Sequence, residues 1–241
     1  LLLLTASTAQ IFCQKTPWEP LPDDINAVYG MAVDSNYNLI VQSGKLYIYN
    51  GDTLTILSDS IFVDKIIIDS QNRIFTGNYR KEIRYLDSKE GNWEKIGEGI
   101  DFKDKEWERH KQAFDMALHP DGRIIAVIEK HAYNFNFTSL AWEECTSCLP
   151  FIPQDASYLA LLFDSDGTAY LQADYDFYRD SKKIFKINTQ QGNVPSLNKL
   201  KTDIDGNVYI SSLFETIFKS TDRGDTWRAL FPPSMNILAY L

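Results

Sequence analysis

Several short clusters in this 241-residue chain have the residue types and spacing for chemistry. "DSDG" (164–167) and "DIDG" (203–206) set two carboxylates before a glycine, which is how a calcium loop opens. A full loop of that kind also needs a carboxylate at its twelfth position, and here those positions are Tyr175 and Phe214. A hairpin turn is therefore the better reading, and no metal site is assigned. "CTSC" places Cys145 and Cys148 at the spacing of half a zinc site, a redox pair or a small disulfide. No second pair completes a four-cysteine site. In an exported chain a local disulfide is favoured, with paired free thiols next. His110, His119 and His131 are scattered, and His119 fills a turn position that Asp occupies in the other repeats, so a turn role is expected of it rather than a ligand role. No catalytic residue and no cofactor is assigned. "NFT" (136–138) is a glycosylation sequon, meaningful only in a eukaryotic cell.

The elements that must position these residues follow from the turns. "VDSNYNL" (33–39), "IDSQNRI" (68–74), "LHPDGRI" (118–124), "FDSDGTA" (163–169) and "TDIDGNV" (202–208) share one pattern. A polar residue, usually Asp, leads into a turn of Asn, Asp or Gly and then a fresh apolar run, which signals a hairpin. The aligned positions 34, 69, 119, 164 and 203 are 35, 50, 45 and 39 residues apart. A loose period near forty residues points to a solenoid or a propeller.

Four strands fit each repeat. An inner strand precedes each turn ("AVYGMAV", "DKIIID", "AFDMALH", "YLALLFD" and the polar "LKTDID"), and a second follows it ("LIVQSG", "RIFTGN", "RIIAVIE", "TAYLQAD", "NVYISSL"). A third strand is read in "KLYIYN", "EIRYLD", "AYNFNF", "KIFKIN" and "TIFKST", and a fourth in "WEKI", "WEEC" and "WRAL". Only "KDKEWERHKQAF" (103–114) has any helical character. The predicted fold is an all-β β-propeller of four-stranded antiparallel blades over 15–241, at about 23–60, 61–100, 101–150, 151–200 and 201–234. "WEPL" (18–21) and "NILAYL" (236–241, within a next blade starting at 235) read as partial blades at the two ends, as in a fragment of a domain of six to eight blades. A β-sandwich does not explain a four-strand unit recurring five times.

"STDRGDTW" (220–227) falls between the third and fourth strands of the fifth repeat. It fits S-x-D-x-G-x-x-W through Ser220, Asp222, Gly224 and Trp227, and so resembles the Asp-box, or BNR repeat, of sialidase-like and sortilin-like propellers. "LDSKEGNW" (86–93) keeps Asp87, Gly91 and Trp93, and "FNFTSLAW" (135–142) keeps the Trp alone. The residue types suit a turn: the Asp accepts backbone N–H bonds, the Gly takes positive φ, and the Trp buries a large face between sheets. In the resembling families the box is scaffold, far from the active site. Sialidases also carry an arginine triad, a Tyr–Glu pair and an Arg-Ile-Pro segment. This chain has no "RIP", and its arginines fall mostly in turns and at strand starts.

Composition narrows the partners. With 24 basic and 33 acidic residues the net charge is −9, which disfavours nucleic acid and anionic membrane surfaces. No segment supplies the ~20 apolar residues of a membrane span. "LLLLTASTAQ" reads as the end of a signal segment, so residues 1–14 are expected to be a signal-peptide remnant and the chain extracellular or periplasmic. In a propeller, the second-to-third loops and the blade links share one face. The links and loops 101–112, 173–182, 78–82 and 144–157 are expected to project there, with Trp107, Arg109, Tyr175, Tyr178 and Arg179 as an aromatic and charged ligand platform. The expected function is an exported, non-catalytic binding or sensing propeller for a protein or carbohydrate ligand, loosely similar to the sensor propellers of two-component regulators. A sialidase-like glycoside hydrolase, with part of its site outside this sequence, is the alternative.

Overall fold

The computed structural model describes residues 25, 28–59, 63, 65–78, 82–87, 91–97, 100, 114–128, 130–153, 156, 158–187, 199–203, 205–211 and 217–230. These form a β-propeller of five four-stranded antiparallel blades. Blade 1 holds β1 (Gly30–Val33), β2 (Leu39–Ser43), β3 (Lys45–Tyr49) and β4 (Leu54–Ser58). Blade 2 holds β5 (Lys65–Ile68), β6 (Ile74–Gly77), β7 (Ile83–Leu86) and β8 (Glu94–Lys95). Blade 3 holds β9 (Phe114–Leu118), β10 (Ile124–Ile128), β11 (His131–Asn136) and β12 (Ala141–Glu144). Blade 4 holds β13 (Leu159–Phe163), β14 (Ala169–Ala173), β15 (Asp176–Arg179) and β16 (Lys182–Lys186). Blade 5 holds β17 (Lys199–Thr202), β18 (Val208–Ser211), β19 (Ile217–Ser220) and β20 (Arg228–Ala229). Among the described residues there is no helix. The partial blades expected at 18–21 and 236–241, the leader at 1–14 and all but the last residue of the stretch with helical character (103–114) lie outside them, and that last residue, Phe114, opens β9 as a strand.

The first hairpin of every blade is closed in one way. The carboxylate Oδ1 of Asp34 accepts the N–H groups of Asn36 and Asn38 at 2.9 and 2.8 Å. Asp69, Asp164 and Asp203 do the same with the residues two and four positions on. The third residue after the Asp donates to its backbone carbonyl and takes positive φ: Tyr37, Asn72, Gly167 and Gly206. In blade 3, His119 stands in for the acid, with its ring nitrogen 3.3 Å from the N–H of Asp121 and Gly122 at the positive-φ position. Both oxygens of Asp34, Asp69 and Asp203 are bonded within their own turns, whereas in Asp164 only Oδ1 is, and its buried Oδ2 has no hydrogen-bond partner.

Inner strands meet in the order β1, β5, β9, β13, β17. Side chains that alternate along each strand fill the gaps between blades. Ile40, Leu46, Ile66 and Ile74 join blades 1 and 2, while Phe75, Tyr85, Met116 and Phe135 join blades 2 and 3. Ile125, Val127, Leu161 and Leu171 join blades 3 and 4, while Tyr170, Phe177, Val208 and Ile210 join blades 4 and 5.

Two strand readings are corrected. "KIFKIN" is the fourth strand of blade 4, not the third, and β15 within the charged stretch 173–182 is the third. Asp174, at φ 51°, turns the chain tightly into β15, where Phe177 is fully buried. The link 144–157 does not project freely from the link face either. Leu149 is buried between blades 3 and 4, with Cys148, Ile152 and Ala156 packed beside it.

Candidate functional site

The expected platform falls only partly within the described residues. Trp107 and Arg109 lie outside the described residues. Tyr175 sits in the tight turn before β15, on the link face, and Arg179 closes the far end of the same strand, roughly 13 Å away at the usual rise. Tyr178, between them, packs against Phe151 of the preceding link with ring centroids 5.2 Å apart. Arg179 faces the turn of blade 5: it donates to the carbonyl of Arg223 at 2.9 Å and to Asp225 at 3.1 Å. Sequence reasoning placed Arg179 on the wrong face because it read a strand as a loop.

The turn Ser220–Trp227 is internally saturated. The buried Ser220 hydroxyl accepts the N–H of Gly224 at 2.7 Å and donates to Asp222 at 2.7 Å. Thr226 donates both its N–H and its hydroxyl to Asp222, at 2.8 and 2.6 Å. These donors, led by the Thr226 hydroxyl, hold the Asp222 carboxyl far below the usual carboxylate range. Gly224 takes φ 95°, and a Cβ there would lie 2.6 Å from Ile184 of blade 4. The Trp227 indole N–H is shared between the carbonyls of Gly224 at 3.0 Å and Ile184 at 3.2 Å.

That last bond belongs to a series. Trp93 donates to the carbonyl of Leu57 at 3.2 Å, and Trp142 to that of Ile96 at 2.7 Å. Each indole reaches from the outer part of its own blade to the outer strand of the blade before, or the residue just after it. Turn to turn, Asn72 accepts the N–H of Ser35 at 2.9 Å, and Arg223 pairs with Asp166. Arg73 and Arg123 are likewise paired with Asp69 and Asp121.

A disulfide joins Cys145 and Cys148 at the start of the link to blade 4. His119 and His131 each contact one carboxylate, Asp121 at 2.8 Å and Glu144 at 2.6 Å, and His110 lies outside the described residues. Among the described residues no three His, Cys, Asp or Glu side chains come together as a metal site.

Sequence reasoning missed the axis. The residues four positions before each turn aspartate, or before His119, are Gly30, Lys65, Asp115, Ala160 and Lys199. The shared register of the first hairpins puts them at one level on the five inner strands. The Lys65 ammonium lies 3.0 Å from Asp115 Oδ2, and the same oxygen accepts the N–H of Leu161 at 2.7 Å. Blades 2, 3 and 4 thus meet through one carboxylate. Lys201, two residues after Lys199, is exposed to solvent. Surrounding protein and the charge of Lys65, with Lys199 adding, hold its ammonium below the usual lysine pKa; Asp115 partly offsets them. The signal was present in "LKTDID", whose lysines stand out only when the five inner strands are aligned on their turns.

The fold has relatives of known structure. Streptogramin B lyase is similar over 90% of this chain and 72% of its own, at a TM-score of 0.65 and 14% identity. The extracellular domain of BT4673 from B. thetaiotaomicron, described as part of a hybrid two-component system, is similar over 89% of this chain but 31% of its own, at 0.55 and 12%. The chain thus spans under a third of that relative. No protein-family model and no curated protein matches the chain. Identities this low establish a common fold. Among the described residues no helix is long and apolar enough to cross a membrane.

Proposed function

We propose that this chain is an exported, non-catalytic propeller that binds or senses a protein or glycan ligand, and that Ser220–Trp227 is a scaffold turn of the Asp-box type. The observation that carries the reading is the commitment of the turn-face charges. Arg73, Arg123, Arg179 and Arg223 are each ion-paired within or between turns. A sialidase-like site needs arginines free to converge on a substrate carboxylate, and these four already serve the scaffold. The likeness to an extracellular domain of a two-component system supports sensing outside the cell, and the leader-like start and the "CTSC" disulfide accord with export. The ligand face is the one formed by blade links and second-to-third loops, because the opposite face is locked by turn-to-turn bonds.

The purified chain applied to a glycan array and to a peptide library is expected to retain a ligand without altering it. Hydrolysis of a fluorogenic sialoside above the buffer rate, lost on heat denaturation, would establish the hydrolase instead.

A further inference from the structure

The "CTSC" disulfide closes a loop too short to restrain the unfolded chain much, because the entropy effect of a cross-link grows with the loop it closes. The backbone around it is held by other means. Cys145 donates its N–H to the carbonyl of Ala132 at 2.8 Å, Cys148 donates to that of Cys145 at 3.3 Å, and buried Leu149 anchors the link between blades 3 and 4. Both cysteines are partly exposed, and Thr146 and Ser147 between them are exposed. The two sulfurs differ in their surroundings. Cys148 packs with Leu149 against the core that joins blades 3 and 4, and Nη1 of Arg123 lies 3.8 Å from its Sγ. Asp121 holds the same guanidinium through Nε at 2.8 Å, which keeps it beside the sulfur. Cys145 instead follows the exposed Glu143 and Glu144, and the latter meets His131 at 2.6 Å. A cation at one sulfur and carboxylates ahead of the other make Cys148 the better thiolate of the pair.

From this asymmetry we infer that the Cys145–Cys148 disulfide is an exchange site for thiols, with Cys145 as the sulfur attacked and Cys148 as the leaving group. An incoming thiolate bonds to Cys145 Sγ as the Cys145–Cys148 bond breaks, and the electron pair leaves on Cys148 Sγ, where Arg123 stabilises it. A monothiol ends as a mixed disulfide on Cys145 with Cys148 free. With a dithiol the second sulfur then displaces Cys145. The dithiol is oxidised to a disulfide, and Cys145 and Cys148 are reduced to thiols with the two protons it gave up. The site does not depend on which ligand the propeller binds.

The test takes the oxidised chain, treats it with dithiothreitol or glutathione, quenches with iodoacetamide and maps the modified cysteines by peptide mass spectrometry. Dithiothreitol is expected to open the bond faster in the folded protein than in the same protein in urea, where Arg123 no longer stands beside Cys148. Glutathione is expected on Cys145, with Cys148 alkylated. Arg123→Met is expected to slow reduction of the folded protein by about tenfold, and Arg123→Lys to keep most of the parent rate. Slower reduction when folded than in urea, glutathione mainly on Cys148, or a folded Arg123→Met variant with the parent rate overturns the inference. If Arg123→Met does not fold, the position of the glutathione and the comparison with urea decide the matter in the parent protein.

Discussion

The indole of Trp142 in blade 3 donates a 2.7 Å hydrogen bond to the backbone carbonyl of Ile96 in blade 2, across 46 residues of sequence. The ring is 2% exposed and lies 5.1 Å from Phe135, within the apolar cluster that joins the two blades. One side chain thus fills the gap and satisfies a carbonyl just beyond β8 of the neighbouring blade. Trp93 and Trp227 repeat the arrangement with Leu57 and Ile184.

Trp142→Ala empties a buried aromatic site and leaves the Ile96 carbonyl without its donor. It is expected to cost about 3–5 kcal/mol in chemical denaturation. Trp142→Phe keeps much of the volume and should cost markedly less. Equal losses for the two variants would show that the hydrogen bond dominates over packing.

Gly77, at the end of β6, faces the ring of Phe114 on the next blade. A Cβ there would lie 2.7 and 2.8 Å from two ring carbons and 3.2 Å from the Met116 methyl. Gly77→Ala is expected to destabilise by about 1–3 kcal/mol through overpacking. Adding Phe114→Leu should restore part of the loss in a double-mutant cycle, since the clash is with that ring.

Stability should fall in acid through the turn carboxylates. Burial opposes the charged form of Asp203, but bonds from Asn207, Tyr209 and Asp205 outweigh it and depress its pKa below 3.8. Asp222 is depressed further by Thr226 and Ser220. A carboxylate with a depressed folded-state pKa contributes stability that is complete above its unfolded value. That contribution is lost as pH drops through the folded value. Melting temperature is therefore expected to be flat with respect to these groups above pH 5 or so and to decline below about pH 4. Asp203→Asn should flatten that decline while lowering the plateau.

The chain has three cysteines, and two of them are joined. Unreduced, denatured protein is expected to show no reactive thiol from Cys145 or Cys148, and at most that of Cys13 where residues 1–14 are retained. Replacing Cys145 and Cys148 together by Ser should cost about 2 kcal/mol by the loop-entropy relation for so short a loop. Reactive thiols at both Cys145 and Cys148 before reduction would show that the bond does not form in the protein as produced.

The sequence by itself determined what is local. Each first hairpin closes through a carboxylate or imidazole that reaches only two to four residues, with a positive-φ residue three positions on, so the five turns and the strands beside them could be read from seven-residue windows. The same holds for the turn Ser220–Trp227, whose bonds within the segment span at most four residues. The tertiary structure decided everything that depends on distant partners. "DFYR" looks like a charged loop, yet it is a strand because Phe177 finds a core built with blade 5 and Arg179 finds Asp225. Asp115 is an isolated acid in the sequence until Lys65, 50 residues earlier, and Leu161, 46 residues later, close on it at the axis. Local bonds are fixed by covalent proximity and survive in any reading of the chain. Contacts between blades exist only once the stacked sheets bring their inner strands to one level, which no short window of sequence contains.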